Sequence, residues 1–436
     1  MNCVPACTYY LSNIKHMRSI FKLSHNRKVL VKNFVFLSLL QIMRYFIPII
    51  VLPYITRIIG VVHFGELAVA SSTCMILQVI VDYGFNYIGA REVAVNKTNL
   101  PYLSFLYSTI TIARCLIFLF CSAILMIITF FVPFLAEIRL LVFIALFPVL
   151  LSVFMPEWIY QGLEEMEFIT YTHIVSRIIY VILIFTLIKQ EEDYILYPIF
   201  NIVGLLFASV ASLIILRRKN IRLHLVSIKS IKKLMNQAKD LFINDICGRL
   251  LSSFLNVFIG NFLSFRDAGI YSSASRLIVA AHHGQTMINR VFYPFLAQHL
   301  NKFYKYFMVN FLISLFIAVI GFVFSPFIYS VFYPSDFNDG IAVLRILTVG
   351  LLFTGISGSL SGNYLILHKK ERVVRNISAF ILFFGSVLFV LCIKLYGLSG
   401  AAYGSLTISI IRCLLLAYFC IRCIWSTEHR CNKSVQ

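Results

Sequence analysis

The stretch VDYGFNYIGAREVAVNK, residues 81–97, lies at the end of a long apolar run and decides how the chain is interpreted. It places Asp82 inside a segment that otherwise suits lipid and then ends the segment with Arg91, Glu92 and Lys97. An ionised side chain deep in a bilayer costs at least about 2.5–3.5 kcal/mol, so such residues usually face a protein interior or a watery cavity. The stretch therefore predicts a membrane helix that borders a hydrated interior.

The composition predicts a membrane protein along the whole length. The chain has 436 residues, of which 60% are hydrophobic and only 13% are charged, about half the charged share of a typical soluble domain. Apolar stretches of about 20 residues, each long enough to cross a bilayer as a helix, recur throughout. We expect an all-α polytopic membrane protein with twelve transmembrane helices in two six-helix lobes around a central cavity. The predicted spans are 33–58, 66–88, 104–131, 139–160, 168–188, 194–216, 238–263, 268–290, 305–332, 340–366, 373–395 and 400–424.

The formal net charge of +20 follows the membrane topology. If the N-terminus is cytoplasmic, twenty-six of the 38 basic residues fall in cytoplasmic segments and five in outward-facing ones. This bias matches the positive-inside rule. It predicts cytoplasmic N- and C-termini and an even number of spans, and it removes the reason to expect a nucleic-acid partner.

The remaining seven basic residues are all arginines inside predicted spans: Arg44, Arg114, Arg177, Arg249, Arg276, Arg345 and Arg412. Only two acids, Asp82 and Asp245, lie well within spans, so most of these arginines lack an acidic partner in the chain. A guanidinium stays charged and binds phosphate oxygens in a bidentate manner. We therefore expect several of the arginines to line a cavity for an anionic cargo. For any single arginine, a structural hydrogen bond to backbone carbonyls is the alternative.

The longest loop divides the chain into similar halves. We expect a cytoplasmic N-terminal segment 1–32, an N-lobe 33–216, a basic linker 217–237, a C-lobe 238–424 and a cytoplasmic tail 425–436. Translation is expected to start at Met17, because MNCVPACTYYLSNIKH adds an unfamiliar extension.

The start of the second span in each half supports an internal repeat. HFGELAVASS (63–72) and DAGIYSSASR (267–276) place Gly65 and Gly269 in register. Repeats of equal orientation are typical of transporters that bind substrate between the two halves.

Other residues are candidates for coupling or gating. Asp245 lies four residues before Arg249, so the two share a helix face and Asp245 is expected to neutralise that arginine. For Asp82, an ion pair, a helix-end hydrogen bond and proton coupling remain open. Pro48 interrupts the first span and is interpreted either as a hinge beside the cavity or as a packing kink.

A further group is predicted at the cytoplasmic mouth. It comprises Arg91, Glu157, Trp158 and Gln161. The last three are interpreted either as contacts for sugar or, through the tryptophan, as interfacial anchors.

Three strings, LPYITRIIGVVHFGELAVASS, VDYGFNYIGAREVAVNK and MPEWIYQGLEEMEFI, resemble those of the Wzx-type O-antigen flippases. These belong to the polysaccharide-export branch of the multidrug/oligosaccharidyl-lipid/polysaccharide exporter superfamily. The resemblance extends over residues 33 to about 425, and its specific motifs lie in the N-terminal half.

The resemblance implies that the protein flips undecaprenyl-diphosphate-linked oligosaccharide from the cytoplasmic to the periplasmic leaflet of a bacterial inner membrane, with proton coupling. It implies alternating access between two lobes. The diphosphate is expected on Arg44, Arg249 and Arg276, with Arg57 and Arg345 passing it outward. The implied partners are this cargo, membrane lipid, and the polymerase and chain-length regulator of the same pathway.

The alternatives differ in the chemistry that they require. A flippase for another polyprenyl-linked polymer, such as capsule, teichoic acid or lipid II, needs the same basic cavity. A multidrug antiporter would need an acidic one. A glycosyltransferase or polymerase would need a catalytic acid, a metal-binding motif or a long outer loop. The sequence contains none of these, so no enzymatic activity, cofactor or metal is predicted.

Overall fold

A computed structural model describes the backbone of residues 5–433, together with the side chains of residues 32–423 except 34, 37, 42, 44, 45, 244, 248, 294 and 301. Within this range the chain forms fourteen α-helices with short connections and no β-strand, which confirms the predicted all-α class. The helices are α1 (Pro5–Asp82), α2 (Phe85–Val95), α3 (Leu100–Phe131), α4 (Pro133–Glu137), α5 (Arg139–Val153), α6 (Glu157–Leu163), α7 (Met166–Leu187), α8 (Leu196–Arg218), α9 (Ile228–Phe262), α10 (Phe265–Gln298), α11 (Phe303–Val323), α12 (Ser325–Phe332), α13 (Gly340–Leu360) and α14 (Glu371–Lys433).

The outer surface of the molecule suits lipid. Among the described residues, eight helical segments are long and apolar enough to cross a membrane, or nine when bent α9 counts as one span. Large apolar side chains point outward from these segments, including Phe131 at 80% exposure and Leu395 at 72%. A soluble protein rarely exposes apolar surface on this scale. The protein is a multi-pass membrane protein.

Two of the long helices are each interrupted at a glycine. α1 leaves helical geometry at Gly60 (φ 68°) and α14 at Gly397 (φ 58°). A positive φ strains residues with a Cβ and suits glycine. The helix continues through Pro48 and Pro53, so the interruption after the first span lies at Gly60 and not at the prolines.

The stretch 81–97 contains a second interruption, which the sequence did not predict. α1 ends at Asp82, Tyr83 and Gly84 both adopt positive φ (43° and 71°), and α2 follows as a separate short helix. The prediction of a continuous helix over 66–88 is therefore wrong beyond Asp82. Gly84 lies so close to α9 that a Cβ there would be 3.0 Å from the Phe242 backbone nitrogen. Close packing against α9 thus requires the turn.

The predicted linker 217–237 is partly helical. α8 ends at Arg218, and α9 begins at Ile228, where the Ser227 side chain accepts a hydrogen bond from the Ser230 N–H. Ser227 is a typical N-cap, and it starts the helix ten residues before the predicted span. Farther along, α9 bends by 47° between Cys247 and Arg249.

The N-terminal half (α1–α8) and the C-terminal half (α9–α14) meet through α1, which packs on both α9 and α10. The two glycines of the predicted repeat lie at this contact. A Cβ on Gly65 would be 1.8 Å from the Phe265 carbonyl oxygen, and a Cβ on Gly269 would be 2.2 Å from the Val61 carbonyl oxygen. The backbones of α1 and α10 therefore approach each other as closely as small residues permit.

Replacing Gly65 by alanine should force α1 and α10 apart and destabilise the protein by about 1–3 kcal/mol, the usual cost of overpacking. SDS-induced unfolding in detergent micelles measures the change. The matched control is Gly284→Ala on α10, where a Cβ has no neighbour within 4 Å. Equal stability of the two variants would contradict the proposed tight contact.

Candidate functional site

Two adjoining cavities of about 400 and 480 Å³ lie between the helices at the junction of the halves. The first is bordered by α1, α9 and α10, and the second by α1, α5, α7, α8 and one residue of α10. Pro48, Ser71, Met75 and Arg276 border both. We call the combined space the central cavity. Pro48 therefore lies in the wall of this cavity, on a helix that continues through it.

The charge of the central cavity comes from arginine. Arg177 and Arg276 line it, and no aspartate or glutamate does so among the described residues. Arg177 donates a hydrogen bond to Asn201 Oδ1 at 3.3 Å, and Arg276 stacks over the Phe64 ring at 4.5 Å. In the described part of the chain, neither has a carboxylate within salt-bridge distance. The arrangement favours an anion.

The remaining polar lining consists of the imidazole of His283 together with hydroxyl and amide groups, and the sequence reasoning missed the hydroxyl and amide groups. They belong to Ser71, Ser72, Gln78, Tyr180, Tyr197, Asn201, Ser252, Ser253, Asn256, Ser272 and Ser275. Asn256 Nδ2 donates to Ser72 Oγ at 3.0 Å, whereas its Oδ1 is buried without a partner. Such groups can hydrogen-bond a polyhydroxylated ligand. The sequence does contain a signal for these groups: serines recur near the ends of the two repeat strings, HFGELAVASS and DAGIYSSASR.

A buried charge cluster adjoins the central cavity. Asp82, only 6% exposed, accepts hydrogen bonds from Arg114 (2.5 Å) and Gln78 (2.9 Å) and lies 3.5 Å from Arg249 Nη1. Arg249 also donates to Asp245 at 2.9 Å, as the four-residue spacing predicts. Of the three interpretations left open for Asp82, the ion pair is present.

The cluster is connected both to the central cavity and across the halves. Gln78 lines the cavity while it bonds Asp82 and Ser152. The Asp82–Arg249 contact joins α1 to α9, and beside it Tyr83 stacks on Phe242 with ring centroids 4.2 Å apart. A movement of α9 relative to α1 would therefore alter the contacts of Asp82, to which the cavity-lining Gln78 is hydrogen-bonded.

Several predicted substrate arginines lie elsewhere in this conformation. Arg114 is buried against Asp82 and lines neither cavity. Arg57 donates to the Val331 carbonyl at 3.3 Å, so it ties α1 to α12. Arg345 donates to Ser325 Oγ at 2.9 Å near one end of α13. Arg412 is largely buried, with its Nε unpartnered, and the side chain of Arg44 lies outside the described residues.

The four predicted mouth residues occupy different environments. Trp158 is 1% exposed and packs on Gly89, where a Cβ would lie 2.5 Å from its ring. It thus belongs to the core contact between α2 and α6, not to an aqueous mouth or an interfacial belt. Glu157 pairs with His173 at 2.7 Å. Arg91 is exposed beside Glu92, and Gln161 is half-buried.

In the described part of the chain, no group of three or more His, Cys, Asp or Glu side chains is placed to hold a metal ion.

Comparisons with known proteins agree on one family and one fold. The family described as "Polysaccharide biosynthesis protein" matches residues 30–300. A putative O-antigen transporter of Shigella dysenteriae is 28% identical over 194 residues, which cover 43% of this chain and 47% of the relative. A putative O-antigen transporter of Escherichia coli K12 is 20% identical over 270 residues, which cover 62% of this chain and 65% of the relative. The alignments thus span less than two thirds of either relative.

Solved structures with similar folds include the lipid II flippase MurJ in an inward closed conformation (TM-score 0.70, 15% identity, 89% of this chain and 87% of that one). Another is an inward-facing multidrug resistance MATE family transporter of the MOP superfamily. It has a TM-score of 0.68 and 13% identity, and the match covers 91% of this chain and 99% of that one. At such identities the likeness shows the fold alone.

We predict that Asp82→Asn impairs folding, and the transport activity proposed for this protein, more than Asp245→Asn does. Removing Asp82 leaves buried Arg114 without its counter-ion, which typically costs about 3–5 kcal/mol. Removing Asp245 leaves Arg249 partly exposed and still beside Asp82, which costs about 0–1 kcal/mol. Unfolding and transport assays on both variants make the comparison.

The double variant Asp82→Asn/Arg114→Gln separates stability from transport. It should be less destabilised than the sum of its two single variants, because the unpaired buried charge is gone. Wild-type behaviour of both aspartate variants would remove the charge cluster from the mechanism.

Proposed function

Because the chain belongs to the polysaccharide biosynthesis protein family, as its resemblance to Wzx-type flippases predicts, we propose that it flips lipid-linked oligosaccharide across the membrane. The proposed cargo is a surface-polysaccharide repeat unit, such as O-antigen, on undecaprenyl diphosphate. The observation that carries the proposal is a central cavity whose arginines lack acidic partners among the described residues and whose other polar groups are mainly hydroxyls and amides. A diphosphate needs the first feature and sugars need the second.

The proposed topology has twelve membrane crossings in two lobes. Of the nine apolar spans counted with bent α9, two contain the interruptions at Gly60 and Gly397, and each of these becomes two crossings. The twelfth is α10, a 34-residue helix that is long enough but polar on its cavity side. The positive-inside bias supports a bacterial cytoplasmic membrane with cytoplasmic N- and C-termini.

Within the central cavity, Arg276 and Arg177 are proposed to hold the diphosphate. Their guanidinium groups form charge-assisted hydrogen bonds that are about twice as strong as neutral ones. The serine hydroxyls and the amides of Asn201 and Asn256 are proposed to meet the sugars. The polyprenyl chain, which is wholly apolar, remains in lipid between helices.

Transport is proposed to proceed by alternating access. In the present conformation Gly65 and Gly269 hold the halves together beside the interruption at Gly60, which the proposed topology places on the periplasmic side. Rocking the lobes would break this contact and rearrange the contacts between the halves at the cytoplasmic side. The pair of Asp82 and Arg249, which joins the two halves, is the proposed point of proton coupling.

The proposed pathway partners are the polymerase and the chain-length regulator that act on the flipped repeat unit. A multidrug antiporter is disfavoured, because a cationic drug would meet arginines and no lining carboxylate among the described residues.

Complementation tests the function. The chain is expressed in a bacterium that lacks its own O-antigen flippase and carries the cognate sugar-assembly genes, and surface glycan and lipid-linked repeat units are measured. Restored surface glycan is expected. If correctly inserted protein fails with the cognate cargo present, the O-antigen assignment is wrong, and other polyprenyl-linked polymers become the cargoes to test.

Arg276→Gln and Arg177→Gln should each lower transport roughly 10- to 100-fold, since a hydrogen bond to a charged group contributes about 1.5–3 kcal/mol. Export is read in the same strain at matched protein level. The control is Arg266→Gln, which removes an exposed arginine that pairs with Asp339 away from the cavity. An equal loss in the control would point to a general charge effect.

A further inference from the structure

A third cavity of about 650 Å³ lies on the outside of the N-terminal half. It runs between α3, the end of α5 and α8, and the segment 221–223 that follows α8. No residue that borders it also borders the central cavity. We call it the lateral groove.

The walls of the lateral groove are apolar, and so is its floor apart from the hydroxyl of Tyr107. Val210, Ile214 and Leu223 form walls that are 47–49% exposed, whereas Tyr107 and Leu216 form a floor that is 1–2% exposed. Val210 lies eight residues before the end of α8, so the groove extends roughly 12 Å along the helix from its charged end. Such a shape fits the upper part of a hydrocarbon chain.

Two arginines form the rim at the charged end. Arg217 lies in the last turn of α8 and Arg222 in the following segment, and both line the groove. The side chains of both are exposed, and within the described residues neither has an acidic partner. Their neighbour Lys219, by contrast, pairs with Glu165 at 2.6 Å.

The position of Arg222 is fixed by α3. Its N–H donates to Ser104 Oγ at 3.3 Å, and its carbonyl accepts a hydrogen bond from Ser108 Oγ at 3.4 Å. Ser108 Oγ also accepts the His224 N–H at 2.8 Å. Because side chains of a membrane helix hold this backbone, the cationic rim keeps its place above the apolar groove.

We propose that the lateral groove binds one anionic phospholipid of the surrounding leaflet, with its phosphate between Arg217 and Arg222 and an acyl chain along Val210 and Ile214. Basic pockets at the ends of membrane helices recognise acidic lipid head groups in this way. A bilayer phospholipid is favoured over the transported lipid because the groove is separate from the central cavity and opens sideways to the membrane.

The test uses the purified full-length protein in detergent with added phosphatidylglycerol, or phosphatidylcholine as the neutral lipid, and measures retained lipid by native mass spectrometry. The wild type should retain phosphatidylglycerol in preference to phosphatidylcholine. Each arginine near a membrane surface contributes roughly a fivefold gain in affinity. Arg217→Gln/Arg222→Gln should therefore weaken retention on the order of 25-fold.

The matched control is Arg218→Gln/Lys229→Gln, which removes two positive charges from the end of α8 and the start of α9 without touching the lining of the groove. It should retain phosphatidylglycerol nearly as the wild type does. An equal loss in both double variants, or no loss in either, would overturn the proposal.

A third variant, Ile214→Trp, keeps every charge and fills the groove. It should lower phosphatidylglycerol retention while the protein stays folded, because Ile214 is 48% exposed and faces away from the core. Unchanged retention would show that the acyl chain does not lie there. Since the readout is bound lipid, its result is independent of whether the proposed cargo is transported.

Discussion

The ion pairs formed by the carboxylate of Asp82 are the interactions on which the arrangement of the two halves depends. It is buried, it holds the guanidinium of Arg114 within its own half, and it reaches Arg249 on the first helix of the other half. A buried carboxylate is stable only when its hydrogen bonds are satisfied. Gln78 supplies another of these bonds and also lines the central cavity. The same few atoms therefore link the contents of the cavity to the angle between the halves.

The distribution of acids explains why the central cavity is positive. Asp82 and Asp245 are the acids that the sequence places within spans, and both are engaged by Arg114 and Arg249. Arg177 and Arg276 have no acidic partners among the described residues and instead contact the amide of Asn201 and the ring of Phe64. Their positive charge is therefore not neutralised by a lining carboxylate, which favours the entry of an anion.

Features that depend on the free energy of transferring side chains from water into lipid could be predicted from the sequence. The apolar spans, the basic loops and the arginines within spans all reflect the free-energy cost of placing charge in lipid. This cost depends on residue type and can be assessed from one sequence alone. The contact between Asp245 and Arg249 followed from helical spacing alone. The equivalent positions of Gly65 and Gly269 in the repeat could also be recognised, whereas their contact could not.

Features that depend on packing between distant segments could not be predicted. The turn at Tyr83–Gly84 exists because α9 lies against it, and the burial of Trp158 depends on Gly89 in another helix. The first ten residues of α9 are too polar for a hydropathy search to find, although Ser227 is a recognisable cap. Arg114 differs from Arg276 only in what lies opposite to it, which the local sequence does not reveal.

The contact between Gly65 and Gly269 has a consequence for how such a protein can evolve. A methyl group on either residue meets backbone atoms of the opposite helix. Backbone atoms, unlike side chains, cannot be exchanged for smaller ones by mutation. No second substitution can therefore compensate the first by removing bulk. If the two halves arose by duplication of one ancestral segment, both positions remain restricted to glycine as long as the helices stay in contact, and they can diverge only if the helices themselves separate.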